Sequence, residues 1–236
     1  WKIDISDAIT QLTSQQLVDR CVAGDASLCQ YVHRSGNPVN GPIYQIDSLF
    51  INLNEQKIEG VDIELSYSHP LNLFGGGAEN VTLRTFGTRL LHNINQAPAP
   101  SLPDEQVGQV AGLGLPKWKA TGILQYNNGA LSTALVGRYI GYGILDRTLR
   151  ESDVAIAGVS TIDDNHVGSV FYMDLNLGFT PAQLEGLRVF GTVTNLLDRA
   201  PPQMPGSIGR TGVLDAFTSL HDVVGRRYTV GVEYKF

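Results

Sequence analysis

The chain has 236 residues, 42% of them hydrophobic and only 17% charged, with 26 glycines and a formal net charge of −6. That charged fraction is low for a soluble surface of this size, which carries about a quarter or more. The negative balance excludes a global basic field for recruiting nucleic acid or anionic lipid, and no run of about 18 apolar residues exists to make a transmembrane helix. Outer-membrane barrels escape that last test, because their strands hide apolar residues in alternation. Residue 1 is Trp, with no signal segment before it, so the chain is expected to be a mature portion or a fragment.

Lys2 to Ile9 alternates, with Ile3 and Ile5 opposite Lys2, Asp4 and Ser6, and predicts a strand. From Thr10 to Asn40 the character changes. Ser14 is placed to cap a short helix through Leu17, Val18 and Cys21, and a second helical turn is expected over Asp25 to Cys29. Cys21 and Cys29 are the only cysteines, and their spacing suits a small local disulfide in an oxidising compartment. The alternative is two unpaired loop cysteines. A metal site lacks two further ligands nearby.

Tyr44 to Ser68 predicts one long strand, with Val61, Ile63, Leu65 and Tyr67 on one face and Asp62, Glu64, Ser66 and Ser68 on the other. Gly75, Gly76 and Gly77 mark a turn. Val81 to His92 predicts a strand with Phe86 and Leu90 out of phase. Pro116 to Tyr126 and Leu131 to Tyr139 flank Asn128-Gly129, a primed-hairpin signal. Val167 to Thr180 and Leu187 to Leu197 follow, the latter with Phe190 out of phase. Val223 to Phe236 ends the chain: Tyr228, Val230, Val232, Tyr234 and Phe236 face one way, while Arg227, Thr229, Gly231, Glu233 and Lys235 face the other.

Eight strands result, and the connections between them run long, short, long, short, long, short, long. Antiparallel strands send alternate connections to opposite ends, so every long connection falls at one end, as in barrels with large extracellular loops and short periplasmic turns. Trp118, Tyr139, Phe171 and Tyr228 would lie near the long-loop end. Tyr67, Tyr126, Phe179, Tyr234 and Phe236 would lie near the other, giving two interfacial girdles. The fold class read from this pattern is all-β, a transmembrane antiparallel barrel. A small closed eight-stranded barrel with an adhesive or structural role, and a soluble all-β binding domain, are the competing readings.

No catalytic constellation stands out, and the chain is not expected to be an enzyme. His33, His69, His92, His166 and His221 are scattered and read as surface residues. Asp163 and Asp164 lack the spaced ligand series of a calcium loop, and Gly75 to Gly77 lack the Lys-Ser/Thr of a phosphate loop. Asp62, Glu64, Arg84, Lys119, Arg138, Asp174 and Glu233 have the character of lumen residues that contact a solute or an interior domain. Arg147, Arg150, Glu151, Asp153, Arg210, His221 and Asp222 are loop candidates for gating or solute contact.

Three motifs carry a family resemblance. Gln56 to Tyr67 contains Gly60-Val61-Asp62, Val193-Thr194-Asn195-Leu196-Leu197-Asp198-Arg199 has a Val-x-Asn-Leu-x-Asp pattern, and Gly225-Arg226-Arg227-Tyr228 opens the final alternation. Together they resemble the C-terminal portion of a TonB-dependent outer-membrane receptor, over nearly the whole chain. The Cys21/Cys29 excursion resembles a subgroup with a disulfide-bearing extracellular loop. The resemblance implies about the last eight strands of a barrel of about 22 strands, with the N-terminal plug and earlier strands outside this sequence. It implies an importer of a scarce solute, energised through the TonB complex and located in the bacterial outer membrane. The partners implied are the plug and remaining strands, the TonB complex, the barrel assembly machinery, a small solute as cargo, and outer-membrane lipid. No resident metal or organic cofactor is implied. Residues 1–236 alone are not expected to transport. The final stretch, Tyr228, Val230, Val232, Tyr234 and Phe236, resembles the assembly signal of such barrels.

Overall fold

Eight long strands and one helical pair account for most of the regular structure: β1 Lys2–Gln11, α1 Ser14–Val22, α2 Ala26–Cys29, β2 Phe50–Leu71, β3 Glu79–Gln96, β4 Trp118–Asn127, β5 Leu131–Ile140, β6 Val170–Phe179, β7 Leu187–Thr194 and β8 Arg227–Tyr234. They are seen in a computed structural model that describes residues 1–12, 14–22, 24–38, 40–48, 50–73, 79–96, 103–110, 115–205, 214–218 and 220–235. The Gly75 to Gly77 turn, Arg210 and Phe236 lie outside the described residues.

Along the main sheet each long strand neighbours the next in chain order, from β1 to β8, and the order does not close on itself. All eight expected strands are present, and the registers within the sheet are antiparallel. The expected boundaries shift at several ends. Tyr44 does not belong to the long strand: Ile43–Ile46 pairs with Val32–Arg34 in a separate hairpin, and β2 starts at Phe50. Val167 pairs with Gly143 in a small loop sheet, so β6 starts at Val170. β7 stops at Thr194 because Asn195 turns left-handed at φ 53°, and β8 starts only after Gly225 at φ 83°. Ser14, expected as a helix cap, is the first helical residue.

The short β4–β5 connection shows how local chemistry sets register. Asn128 N–H donates to Leu131 O at 3.0 Å, so Gly129 and Ala130 form a two-residue loop. Gly129 has φ 86°, while Ala130 is not among the positive-φ residues. Positive followed by negative φ is the II′ arrangement, which leaves Asn128 one place before the turn. Its Oδ1 accepts from Leu131 N–H at 2.7 Å, and Asn127 Oδ1 accepts from Gly129 N–H at 2.8 Å. The turn is primed, as the sequence predicts.

The chain divides into two compact units, Trp1–Glu59 with His92–Gln106, and Gly60–Leu91 with Val107–Phe236. In the first, Leu12, Leu17, Leu28 and Val32 form a small buried core with Val18, Cys21, Tyr31 and Ile46 packed on it. Cys21 and Cys29 are joined by a disulfide that ties α1 to α2. This excludes the alternative of two unpaired cysteines. On the β1–β2 ladder Lys2 stands opposite Glu59 and Asp4 opposite Lys57, so unlike charges meet across the strands.

In the second unit the ladder from β3 to β8 has two chemically distinct faces. One face carries Leu83, Leu124, Leu135, Leu175, Val193 and Tyr228 as a single cross-strand row. The next row on that face is Val81, Tyr126, Thr133, Leu177, Gly191 and Val230. Tyr228 is 69% and Val230 79% exposed, which water would penalise and lipid would not. Tyr139 and Phe171 stand directly opposite each other near the long-loop end, and the Arg89 guanidinium lies 5.1 Å over the Trp118 ring close by. Tyr228 is the second residue of β8, yet it sits in the Leu175 row, because tilted strands stagger.

Candidate functional site

The other face of the same ladder is polar, and it collects every charged wall residue that the sequence singles out. Asp62 accepts from Thr88 Oγ1 at 2.8 Å, and Glu64 lies 3.8 Å from Arg84. Arg138 lies 3.4 Å from Asp174 and its guanidinium stacks 5.5 Å over Tyr172. Glu233 lies 3.9 Å from Arg188 on the neighbouring strand. Lys119 stands between Thr88 and Ile140 in register, with no ion pair among the described residues. Most of these charges are therefore matched within the wall.

Phe86 and Phe190, which break the alternation, also have local reasons. Phe86 lies beneath the Arg84 guanidinium at 5.5 Å. Phe190 stands opposite Gly231, and its ring occupies the space where a Cβ would sit. A glycine in a strand exposes backbone, and an aromatic ring laid across it restores packing.

The rows of this face differ along the strands. Towards the long-loop end the rows are mixed: Thr88, Lys119, Ile140 and Val170, then Phe86, Thr121, Arg138 and Tyr172, then Arg84, Ile123, Val136 and Asp174. Towards the short turns two whole rows carry no charge. One is Thr82, Gln125, Ala134, Asn176, Thr192 and Thr229; the other is Asn80, Asn127, Ser132, Gly178, Phe190 and Gly231. A cavity of about 620 Å³ opens over these rows, with Arg188 and Glu233 also in its lining.

At the long-loop end the connections interlock. Val110 N–H donates to Ile144 O, and Ile144 N–H donates to Gly108 O, each at 2.8 Å. Val110 and Val167 form a buried pair with Leu145, Phe217 and Leu220 against it. Leu220 also packs on Ile140, Val170 and Tyr172, so the last connection is pinned to the wall. Tyr172 is fully buried, and its hydroxyl accepts from Asp222 N–H at 3.3 Å. Asp222 in turn lies 3.2 Å from Arg227. Burial would raise the Asp222 carboxyl, but the Val224 N–H, the Arg227 charge and the Gly225 N–H outweigh it and hold the group below the usual carboxylate range.

The Val-x-Asn-Leu-x-Asp motif forms part of this latch. Asn195 is fully buried; its Oδ1 accepts from Arg199 N–H at 2.9 Å and its Nδ2 donates to Arg199 O at 3.0 Å. Its own N–H donates to Asp174 at 2.8 Å. Asp198, also left-handed at φ 50°, accepts from Arg226 N–H at 3.0 Å. The motif thus joins the end of β7 to the start of β8. Its sequence was visible, but its hydrogen-bonding role was not. Tyr172 was missed as an anchor, although its polar-face parity with Asp174 could have drawn attention to it.

His221 is a correction to its placement as a surface residue. It is only 4% exposed, and neither ring nitrogen has a hydrogen-bond partner. Burial lowers its pKa from the ordinary value. Its position beside Leu220 in the packed latch accounts for this, a tertiary effect with no local sequence signal. Of the other histidines, His33 pairs with Asp47 at 2.7 Å and His92 with Glu105 at 2.8 Å. Among the loop candidates, Arg147 donates to Val107 O, and Glu151 accepts from Asn165 N–H at 3.0 Å. These contacts brace the loops. Among the described residues, no group of three or more His, Cys, Asp or Glu is arranged to hold a metal.

Residues 1–196 match a known family, "TonB dependent receptor-like, beta-barrel". No curated protein sequence matches the chain. Two solved structures share its fold over 100% of its length: the siderophore receptor PirA from Acinetobacter baumannii, at 16% identity and TM-score 0.52, and a mutant of the ferric enterobactin receptor PfeA from Pseudomonas aeruginosa, at 13% identity and TM-score 0.55. The chain spans 28% of the length of each.

Proposed function

Because the chain belongs to the TonB-dependent receptor β-barrel family, we propose that it forms one sector of an outer-membrane importer of ferric siderophores. The carrying observation is the two-faced ladder. Its apolar rows suit lipid, its polar rows suit a lumen, and its long connections gather at one end. An open strand order leaves backbone groups unpaired at β1 and β8, which lipid cannot satisfy. The remaining strands of the same receptor would pair there, and an N-terminal plug would fill the lumen. TonB would supply energy through that plug. The barrel assembly machinery would recognise the aromatic final strand through Tyr228, Val230, Val232, Tyr234 and Phe236.

A siderophore cargo is favoured by the two receptors that share the fold, each named for an iron chelate or siderophore. The test is growth. The complete receptor is expressed in an iron-starved strain lacking its own siderophore receptors, and supplied with ferric catecholates and ferric hydroxamates in turn. Growth on at least one class that disappears without TonB is expected. No growth on either class, with the receptor present in the outer membrane, would remove siderophore import as the function.

A further inference from the structure

We propose that Arg89 and Trp118 form a docking point on the apolar face for the phosphate of one membrane lipid, whose acyl chains lie along the wall below. This rests on reading the chain as a barrel sector. In the paired rows of that face, from β3 to β8, Arg89 is the one ionised side chain among the described residues. It stands opposite Trp118 in the row nearest the long loops, and its guanidinium lies 5.1 Å over the indole ring. Arg89 is exposed and has no ion pair among the described residues. The next rows inward are Gly87, Ala120, Tyr139 and Phe171, then Thr85, Gly122, Gly137 and Met173.

The arginines on the polar face of the same strands each meet an acid: Arg84 meets Glu64, Arg138 meets Asp174, Arg188 meets Glu233 and Arg227 meets Asp222. Arg89 has an aromatic partner instead, and a ring face attracts a cation without neutralising it. A guanidinium keeps its proton, so on a lipid-facing wall its counter-charge comes from the surroundings. Stacking on Trp118 uses one flat side of the group and leaves its N–H edge free to donate. That edge matches phosphate oxygens two at a time. Trp and Tyr side chains collect at the depth of lipid headgroups. Trp118 and Tyr139 therefore set Arg89 level with the phosphates, and the uncharged rows inward of it level with acyl chains. Gly87 and Ala120, in the row directly below, add little side-chain bulk there.

The experiment titrates the complete receptor, purified in detergent, with dioleoyl phosphatidic acid and reads lipid binding by native mass spectrometry. Dioleoylglycerol, with the same chains and no phosphate, is the comparator. Arg89→Gln is expected to bind phosphatidic acid about tenfold more weakly than the unaltered receptor, with dioleoylglycerol binding unchanged. Equal affinity of the two proteins for phosphatidic acid would overturn the proposal. So would an equal loss for both lipids, which would assign Arg89 to chain packing alone. Inorganic phosphate, equimolar with the lipid, is expected to leave the complex intact; displacement would make free phosphate the ligand and remove the lipid. A bimane label on Val230→Cys, in vesicles of brominated-chain lipid, tests the barrel reading separately. The native Cys21 and Cys29 are disulfide-bonded and do not react. Quenching of the label is expected, and its absence would sink the barrel reading whatever Arg89 does.

Discussion

Asn195 joins backbone conformation to tertiary contact in a single side chain. Its φ of 53° suits Asn better than most residues, and its amide closes two hydrogen bonds on Arg199. Asn195→Ala should cost roughly 2–4 kcal/mol, from the lost bonds and the left-handed backbone together. The readout is the melting temperature of the complete receptor in detergent. Asn195→Gly keeps the backbone permissive and should cost less, so equal losses would deny the conformational part.

His221 poses a titration problem at the same scale. Its folded pKa lies below 6.5 because burial disfavours the charged ring. The neutral ring's contribution is therefore full above 6.5 and is lost as pH falls through 6.5 towards the folded value. Hydrogen-exchange protection at residues 217–218 and 220–224, corrected for the intrinsic exchange rate at each pH, should fall on going from neutral pH to about pH 5. His221→Gln should flatten that response; an unchanged pH profile in the variant would show that another group controls the latch.

At the scale of elements, the barrel wall is held by complementary choices on adjacent strands. Phe190 on β7 and Gly231 on β8 are one such pair, since a side chain at 231 would collide with the ring. Gly231→Leu should destabilise the β7–β8 ladder by about 1–3 kcal/mol. Adding Phe190→Ala should recover part of the loss in a double-mutant cycle read by chemical denaturation; simple additivity of the two costs would show that the residues are not coupled. The same logic explains the reading of alternation. Phe86 and Phe190 look like errors in a period-two pattern, yet each sits on the polar face for a local reason, over Arg84's neighbourhood or over a glycine. Strand ends were less legible than strand centres, because Val167, Asn195 and Gly225 leave the ladder for loop contacts.

For the molecule as a whole, we propose that the final strand directs how the barrel is made. Its exposed apolar face offers a template for strand addition during insertion. Deleting Phe236 from the complete receptor should slow its appearance as a heat-modifiable outer-membrane protein. Unchanged insertion rate and yield after the deletion would leave Phe236 as an anchor only. Family membership sets the frame for this scale, and the chain covers 28% of the length of its structural relatives.

What the amino-acid order determined by itself was the periodic and the local: eight alternating strands, the primed turn at Gly129, the disulfide excursion and the sorting of long connections to one end. These follow from covalent spacing, since side chains on a strand alternate whatever lies beyond it. The charged wall residues could likewise be assigned to one face by parity alone. Only the tertiary structure decided which of them meet, because cross-strand register brings Arg138 to Asp174 and Arg188 to Glu233 from distant stretches of chain. It also decided that His221 is buried and that two uncharged rows adjoin. Both depend on packing and register between strands, where a shift of one residue exchanges the faces.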